Sequence, residues 1–218
     1  FQKEEKFHIE RTQIIVMDHF VRDFDRYYAE SILKAAAKPA LISLTKGPAF
    51  SRSDVVDLMI NGSEGAFNIN PLLSTNEGLS QALRTLTFNL DAQNFNYSLV
   101  SVEQLEFDQM QLNFEVDYYF QTLNTNWSRK SLPVSITLDV YGMSHPNHRG
   151  EGIIDSSWVP DSTGCYRNII FSENIACSGN IRPPPRCGDG IIDISIGDEC
   201  EPPNTATCDA YCQIIITP

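Results

Sequence analysis

Between Met110 and Val140 the chain has little choice of secondary structure. Met110, Leu112, Phe114, Val116, Tyr118 and Phe120 alternate with Gln111, Asn113, Glu115, Asp117, Tyr119 and Gln121, a period of two that gathers the large apolar groups on one face of a strand. After a polar loop, Leu132, Val134, Ile136, Leu138 and Val140 repeat the pattern against Pro133, Ser135, Thr137, Asp139 and Tyr141. One dry and one wet face per strand predicts an antiparallel pair in a sheet with one face in water. Pro133 cannot donate to a ladder, which puts the second strand at an edge or its start outside regular pairing. Nothing in the pair carries catalytic chemistry, and Glu115 and Asp117 on the wet face read as solvated display.

The first 44 residues have a different period. Phe7, Ile14, Val21 and Tyr28 recur at sevens, and Met17 and Phe24 fill the second seam position, which predicts a helix from Phe1 to about Leu44 with one apolar stripe. Such a rod is about 60 Å long, so its stripe either packs on the chain's own sheet or projects in part as a stalk that meets other copies. Lys38-Pro39 is expected to kink or end it, and Gly47-Pro48 to begin a loop. Ser53 is the expected cap of a short helix over 54–60, stopped by Asn61-Gly62. A further helix runs from about Ser74 into the eighties, with Leu79, Leu83, Leu86 and Leu90 on one face. Phe95 to Val102 and Leu105 to Phe107 then read as strands, or as one bent strand. Helices first and a strand meander afterwards predict an α+β fold: a long N-terminal helix and short helices packed on a mostly antiparallel β-sheet. The expected division is a helix or stalk over 1–44, a core domain over 45–160 and a small Cys-rich, disulfide-rich appendage over 161–218.

All six cysteines stand in that last part: Cys165, Cys177, Cys187, Cys200, Cys208 and Cys212. An even number in a Pro-rich segment with little core of its own predicts three disulfides and hence an oxidising compartment. Zinc is the competing reading, but only Cys208 and Cys212 approach ligand spacing and no His lies near them. Sequons at Asn61, Asn96 and Asn126 point to the same extracellular or cell-surface location. A net charge of -12 argues against nucleic acid and against an anionic membrane surface as partners. No apolar run is long enough to span a bilayer. Phe1 is not an initiator Met, so a segment upstream is expected to have been cleaved or left out, and membrane attachment would run only through that segment.

The loop from Cys187 to Glu201 concentrates oxygen ligands. Asp189, Asp193, Asp198, Glu199 and Glu201 crowd between glycines and two cysteines, a composition suited to a hard cation such as Ca²⁺; the bland alternative is a solvated acidic turn. Its pattern, Cys187-Gly188-Asp189-Gly190 followed by Gly197-Asp198-Glu199-Cys200-Glu201, resembles the opening of disintegrin-type Cys-rich modules. That resemblance implies Ca²⁺ held by the side chains of Asp189, Asp193, Asp198 and Glu201 and the backbone carbonyl of Ile191. Two extra residues stand between Asp193 and Gly197, and the dense cysteines of disintegrins do not follow, so integrin binding is not implied.

Residues 5–145 resemble membrane-anchored, pilin-like surface proteins of archaea, in which a long helix leads into two short helices and a strand meander. The match rests on Trp127 and Arg129 before the Ser- and Thr-rich strand Ser131 to Val140, ending at Gly142. It implies a glycoprotein subunit of a filament or surface layer whose partners are other copies of itself. The alternative is a monomeric adhesion module that holds a glycan or a surface protein through aromatic-rich loops around Trp127 and Trp158. An enzyme is not expected. Ser31 and Lys34 fit a Ser-x-x-Lys pattern without a partner motif, His145 and His148 read as solvated loop residues, and no phosphate-cradling or zinc-protease motif is present.

Overall fold

The two alternating runs form the strands β4 (Gln109–Gln121) and β5 (Asn126–Asp139), paired antiparallel. The computed structural model describes residues 2–46, 50–106, 109–140 and 176–177, with side chains from residue 8 onward. Met110, Leu112, Phe114, Val116, Tyr118 and Phe120 are all buried, as are Leu132, Val134, Ile136, Leu138 and Val140. Pro133 lies opposite Glu115 on β5, an edge strand of a four-stranded sheet. The edge carries a second irregularity: the register slips between Val116 and Tyr118, and Ser131 takes a positive φ of 51°. Asp117 Oδ1 accepts the Ser131 N–H at 2.7 Å, so the amide displaced by this bulge keeps a partner.

β3 is one bent strand, Ala92–Glu106, with register shifts at Leu99/Ser101 and Gln104/Glu106. The first shift changes the phase of burial: Phe95, Tyr97 and Leu99 face the core before it, Val102 and Gln104 after it. Val100 is left exposed between them, and the Arg52 guanidinium donates to its carbonyl. On the other side of β3 a two-residue strand, β6 (Ala176–Cys177), pairs in parallel with Glu103 and Gln104. The fold is therefore α+β, with an antiparallel meander and one short parallel addition that comes from inside the expected Cys-rich tail.

The N-terminal helix is continuous from Gln2 to Leu44 but not uniform. It consists of α1 (Gln2–Asp23), a π-helical turn (Phe24–Tyr28) and α2 (Ala29–Leu44), which continues through Pro39 to its end. The core seam is Met17 and Phe20 on α1, Phe24 at the start of the π turn, and Ala29, Ile32, Leu33, Ala36, Ala37, Ala40, Leu41 and Leu44 on α2. A π turn accommodates one residue more than an α turn, and this is why the fully buried seam steps by five from Phe24 to Ala29; Val21 and Tyr28, expected in the seam, are partly buried against the core. Ile14, expected in the seam, is 38% exposed.

α3 (Arg52–Asn61) begins two residues earlier than expected. Ser51, not Ser53, is the cap: its Oγ accepts the Asp54 N–H, and Asp54 Oδ2 accepts the Ser51 N–H at 2.6 Å. This reciprocal capping box satisfies two end amides at once. Gly62 closes the helix with φ 72°, a conformation glycine adopts without a Cβ penalty. A small hairpin, β1 (Ser63–Glu64) and β2 (Phe67–Asn68), leads through a 3₁₀ turn to α4 (Thr75–Leu83), capped by Ser74. α4 stops at Leu83, so Leu86 and Leu90 reach the core from the following turns as partly buried side chains.

Candidate functional site

Among the described side chains the core begins at Met17, and none of residues 8–16 is buried. The helix nevertheless continues to Gln2, so about four turns, roughly 22 Å, lie N-terminal to the first core residue. This segment is not polar all round. Ile9 is 56% exposed, Ile15 50% and Ile14 38%, spread around the helix. His8, Ile9, Thr12, Gln13 and Val16 also face Thr87 and Phe88 across a shallow groove of about 410 Å³. The groove was not legible in the sequence, because its far wall belongs to turns that follow α4. The one signal was the seven-residue spacing of Ile9 and Val16.

Two acidic side chains seven residues apart tie the helix to the sheet where it enters the core. Asp18 Oδ1 accepts the Trp127 indole N–H at 2.8 Å, and Asp25 Oδ1 accepts the Tyr118 hydroxyl at 2.7 Å. Burial pushes the Tyr118 phenol well above its ordinary pKa, and the Asp25 carboxylate raises it further, so Tyr118 stays a donor. Trp127 is thus partly buried and hydrogen-bonded, packed against the core. Trp158, the other aromatic expected at a ligand face, lies outside the described residues, as does Gly142 of the motif that begins at Trp127.

The opposite face of the sheet is polar and in water. Asn113 Oδ1 accepts from Gln111 Nε2 at 2.8 Å and Ser135 Oγ at 2.7 Å, while its Nδ2 donates to Ser101 Oγ at 3.0 Å. One amide therefore links β3, β4 and β5. Two of the three sequon asparagines, Asn96 and Asn126, are exposed on this face, and the third, Asn61, is exposed at the end of α3.

Among the described residues no three His, Cys, Asp or Glu side chains come close enough to hold a metal ion. The expected Ca²⁺ ligands Asp189, Ile191, Asp193, Asp198 and Glu201 lie outside them, as do Cys165, Cys187, Cys200, Cys208, Cys212, His145 and His148. Cys177 is disulfide-bonded and packs against the edge of the core beside Gln104. Ser31 and Lys34 are both exposed on α2. Among the described residues no helix is long and apolar enough to cross a membrane. Compared with models of known protein families, with curated proteins and with solved structures, the chain matches none.

Proposed function

We propose that this chain is a structural subunit of an extracellular or cell-surface assembly, a pilus-like filament or a surface layer, in which copies meet through the N-terminal half of α1. The observation that supports this reading is the run of helix ahead of Met17 with Ile9, Ile14 and Ile15 exposed on it. Covering a large aliphatic side chain contributes about 1.5–3 kcal/mol, so several per copy suffice to drive association. Charge favours the same surface. α1 holds four Lys and Arg against five Asp and Glu, a net of -1 on a chain of net -12, so copies can bring this surface together with little repulsion.

Sedimentation across a wide concentration range tests the reading. The protein is expected to form large polymers, and Ile9→Glu with Ile15→Glu to return it to single particles with its melting temperature nearly unchanged, because exposed sites contribute within about 0.5 kcal/mol to stability. A wild-type chain that stays a single particle at every concentration would overturn it. The alternative, a monomeric adhesion or glycan-binding module that holds its partner through the aromatic-rich loops around Trp127 and Trp158, is the reading such a single particle would favour.

The C-terminal loop belongs to the same proposal as its calcium-braced part, through Asp189, Asp193, Asp198, Glu201 and the Ile191 carbonyl. A cation held only by the folded chain stabilises it by mass action, about 2.7 kcal/mol at a hundredfold excess over Kd. Chelator is therefore expected to lower the melting temperature and added Ca²⁺ to restore it. An identical melting curve with and without chelator removes calcium from the account.

A further inference from the structure

We infer that the water-facing side of the sheet is a glycosylated face, with N-linked oligosaccharides on Asn96 and Asn126 together. A sequon by itself says only that an Asn and a hydroxyl stand two residues apart. Register puts these two on one surface: Asn96 lies opposite Asp117 and Asn126 opposite Gln121, on strands that flank β4 on either side. Their neighbours Phe95, Tyr97 and Trp127 turn inward, packing in or against the core. The two asparagines are thus separated by two strand spacings and four residues, roughly 10 Å across and 13 Å along the sheet.

Their side chains differ from the other amide of this face. Asn113 has its amide committed to three hydrogen bonds, whereas Asn96, Asn126, Ser98 and Ser128 are exposed, and among the described residues their side chains have no hydrogen-bond partner. Both asparagines are exposed residues on extended backbone, where a sugar can stand without displacing the fold. Modification moves an oligosaccharide from a polyisoprenyl pyrophosphate donor. A bond forms between the sugar's anomeric carbon and Asn Nδ2, the bond from that carbon to the pyrophosphate oxygen breaks, and the amide loses one proton. The lipid pyrophosphate leaves with the bonding electron pair. Tyr119, between Asn94 and Ser128 in the ladder, lies under the two attached chains.

The inference needs an exported chain; only its bearing on assembly, that contacts are left to the helix side, rests on the subunit reading. The test is secretion from a host whose export route N-glycosylates, followed by intact mass measurement and peptide mapping after an amidase that leaves Asp where a glycan was attached. Both asparagines are expected to be occupied. Asn96→Gln and Asn126→Gln are each expected to lose one glycan, and Ser98→Ala to lose the same one as Asn96→Gln. Radical footprinting of Tyr119 is expected to increase several-fold on deglycosylation. A secreted protein with oxidised cysteines but bare at both positions overturns the inference and leaves the subunit reading standing; a monomeric glycoprotein does the reverse. Tyr119 labelling that ignores deglycosylation overturns the shielding.

Discussion

Replacing Phe24 by Ala is expected to cost about 3–5 kcal/mol of folding stability, the range for deleting a large buried aromatic. Phe24 is fully buried at the point where helix and sheet meet, with ring centroids 5.1 Å from Tyr118, 5.3 Å from Phe120 and 5.6 Å from Phe95. All three contacts are edge-on, the arrangement that places ring edges against electron-rich faces. Phe20 closes the cluster against Phe24 at 5.8 Å and Phe120 at 5.6 Å. Neighbours locked in this way cannot collapse into the space left by a missing ring, so the cavity penalty adds to the lost transfer energy. Since domains of this size are stable by only about 5–15 kcal/mol, the variant should unfold at a much lower urea concentration, and Phe24→Leu should fall between it and the wild type. A loss under about 1 kcal/mol would mean that the core is not organised around this ring.

The second large effect appears at high pH. Burial raises the pKa of both Tyr97 and Tyr118 above the ordinary value of 10.0. Tyr97 shares a 2.8 Å hydrogen bond with Thr75, whose hydroxyl also reaches the Met59 carbonyl at 3.3 Å; Tyr118 is held by Asp25. The folded protein keeps both phenolic protons where the unfolded chain has begun to lose them. The unfolded state then binds fewer protons, and stability falls as pH rises. The contribution is complete below about pH 10 and declines from there toward the folded pKa values, by up to about 1.4 kcal/mol per pH unit for each tyrosine. Urea midpoints are expected to be flat from pH 8 to near 10 and to drop steeply beyond. Tyr97→Phe and Tyr118→Phe should each make that drop shallower, and an alkaline limb that neither substitution alters would sink the assignment. Tyrosinate absorbance should show these two groups ionising only as the protein unfolds.

What the sequence made legible follows from how local each signal is. Strict alternation over Met110–Phe120 and Leu132–Val140 belongs to single strands, and the burial pattern reproduces it residue by residue. The long helix was legible in extent, and Met17 and Phe24 as seam positions, because a 3.6-residue period is also local. Its phase beyond Phe24 was not, since nothing in Phe24–Tyr28 marks a π turn until α2 must present its alanines to the sheet. Ser51 and Ser53 are equivalent as caps in composition. Asp54 decides between them, by lying three residues after Ser51 as a capping box requires. β3 was legible as two strands or one bent strand, but not the bulge at Val100, which lies inside the first run and is a property of the pairing with β4. The anchors Asp18–Trp127 and Asp25–Tyr118 span 109 and 93 residues, and no spacing rule reaches that far.

The π turn lets one continuous helix keep two seams on the same core. Its extra residue advances the azimuth by one step of about 100°, so Met17, Phe20 and Phe24 up to the joint and Ala29, Leu33 and Ala36 beyond it all lie buried. Deleting one residue between Phe24 and Ala29 would turn Met17 and Phe20, and Asp18 with its bond to Trp127, off the sheet by that angle. The length of this joint is therefore locked to the packing on both sides of it, and a change of one residue there would register as lost core rather than as a redirected helix.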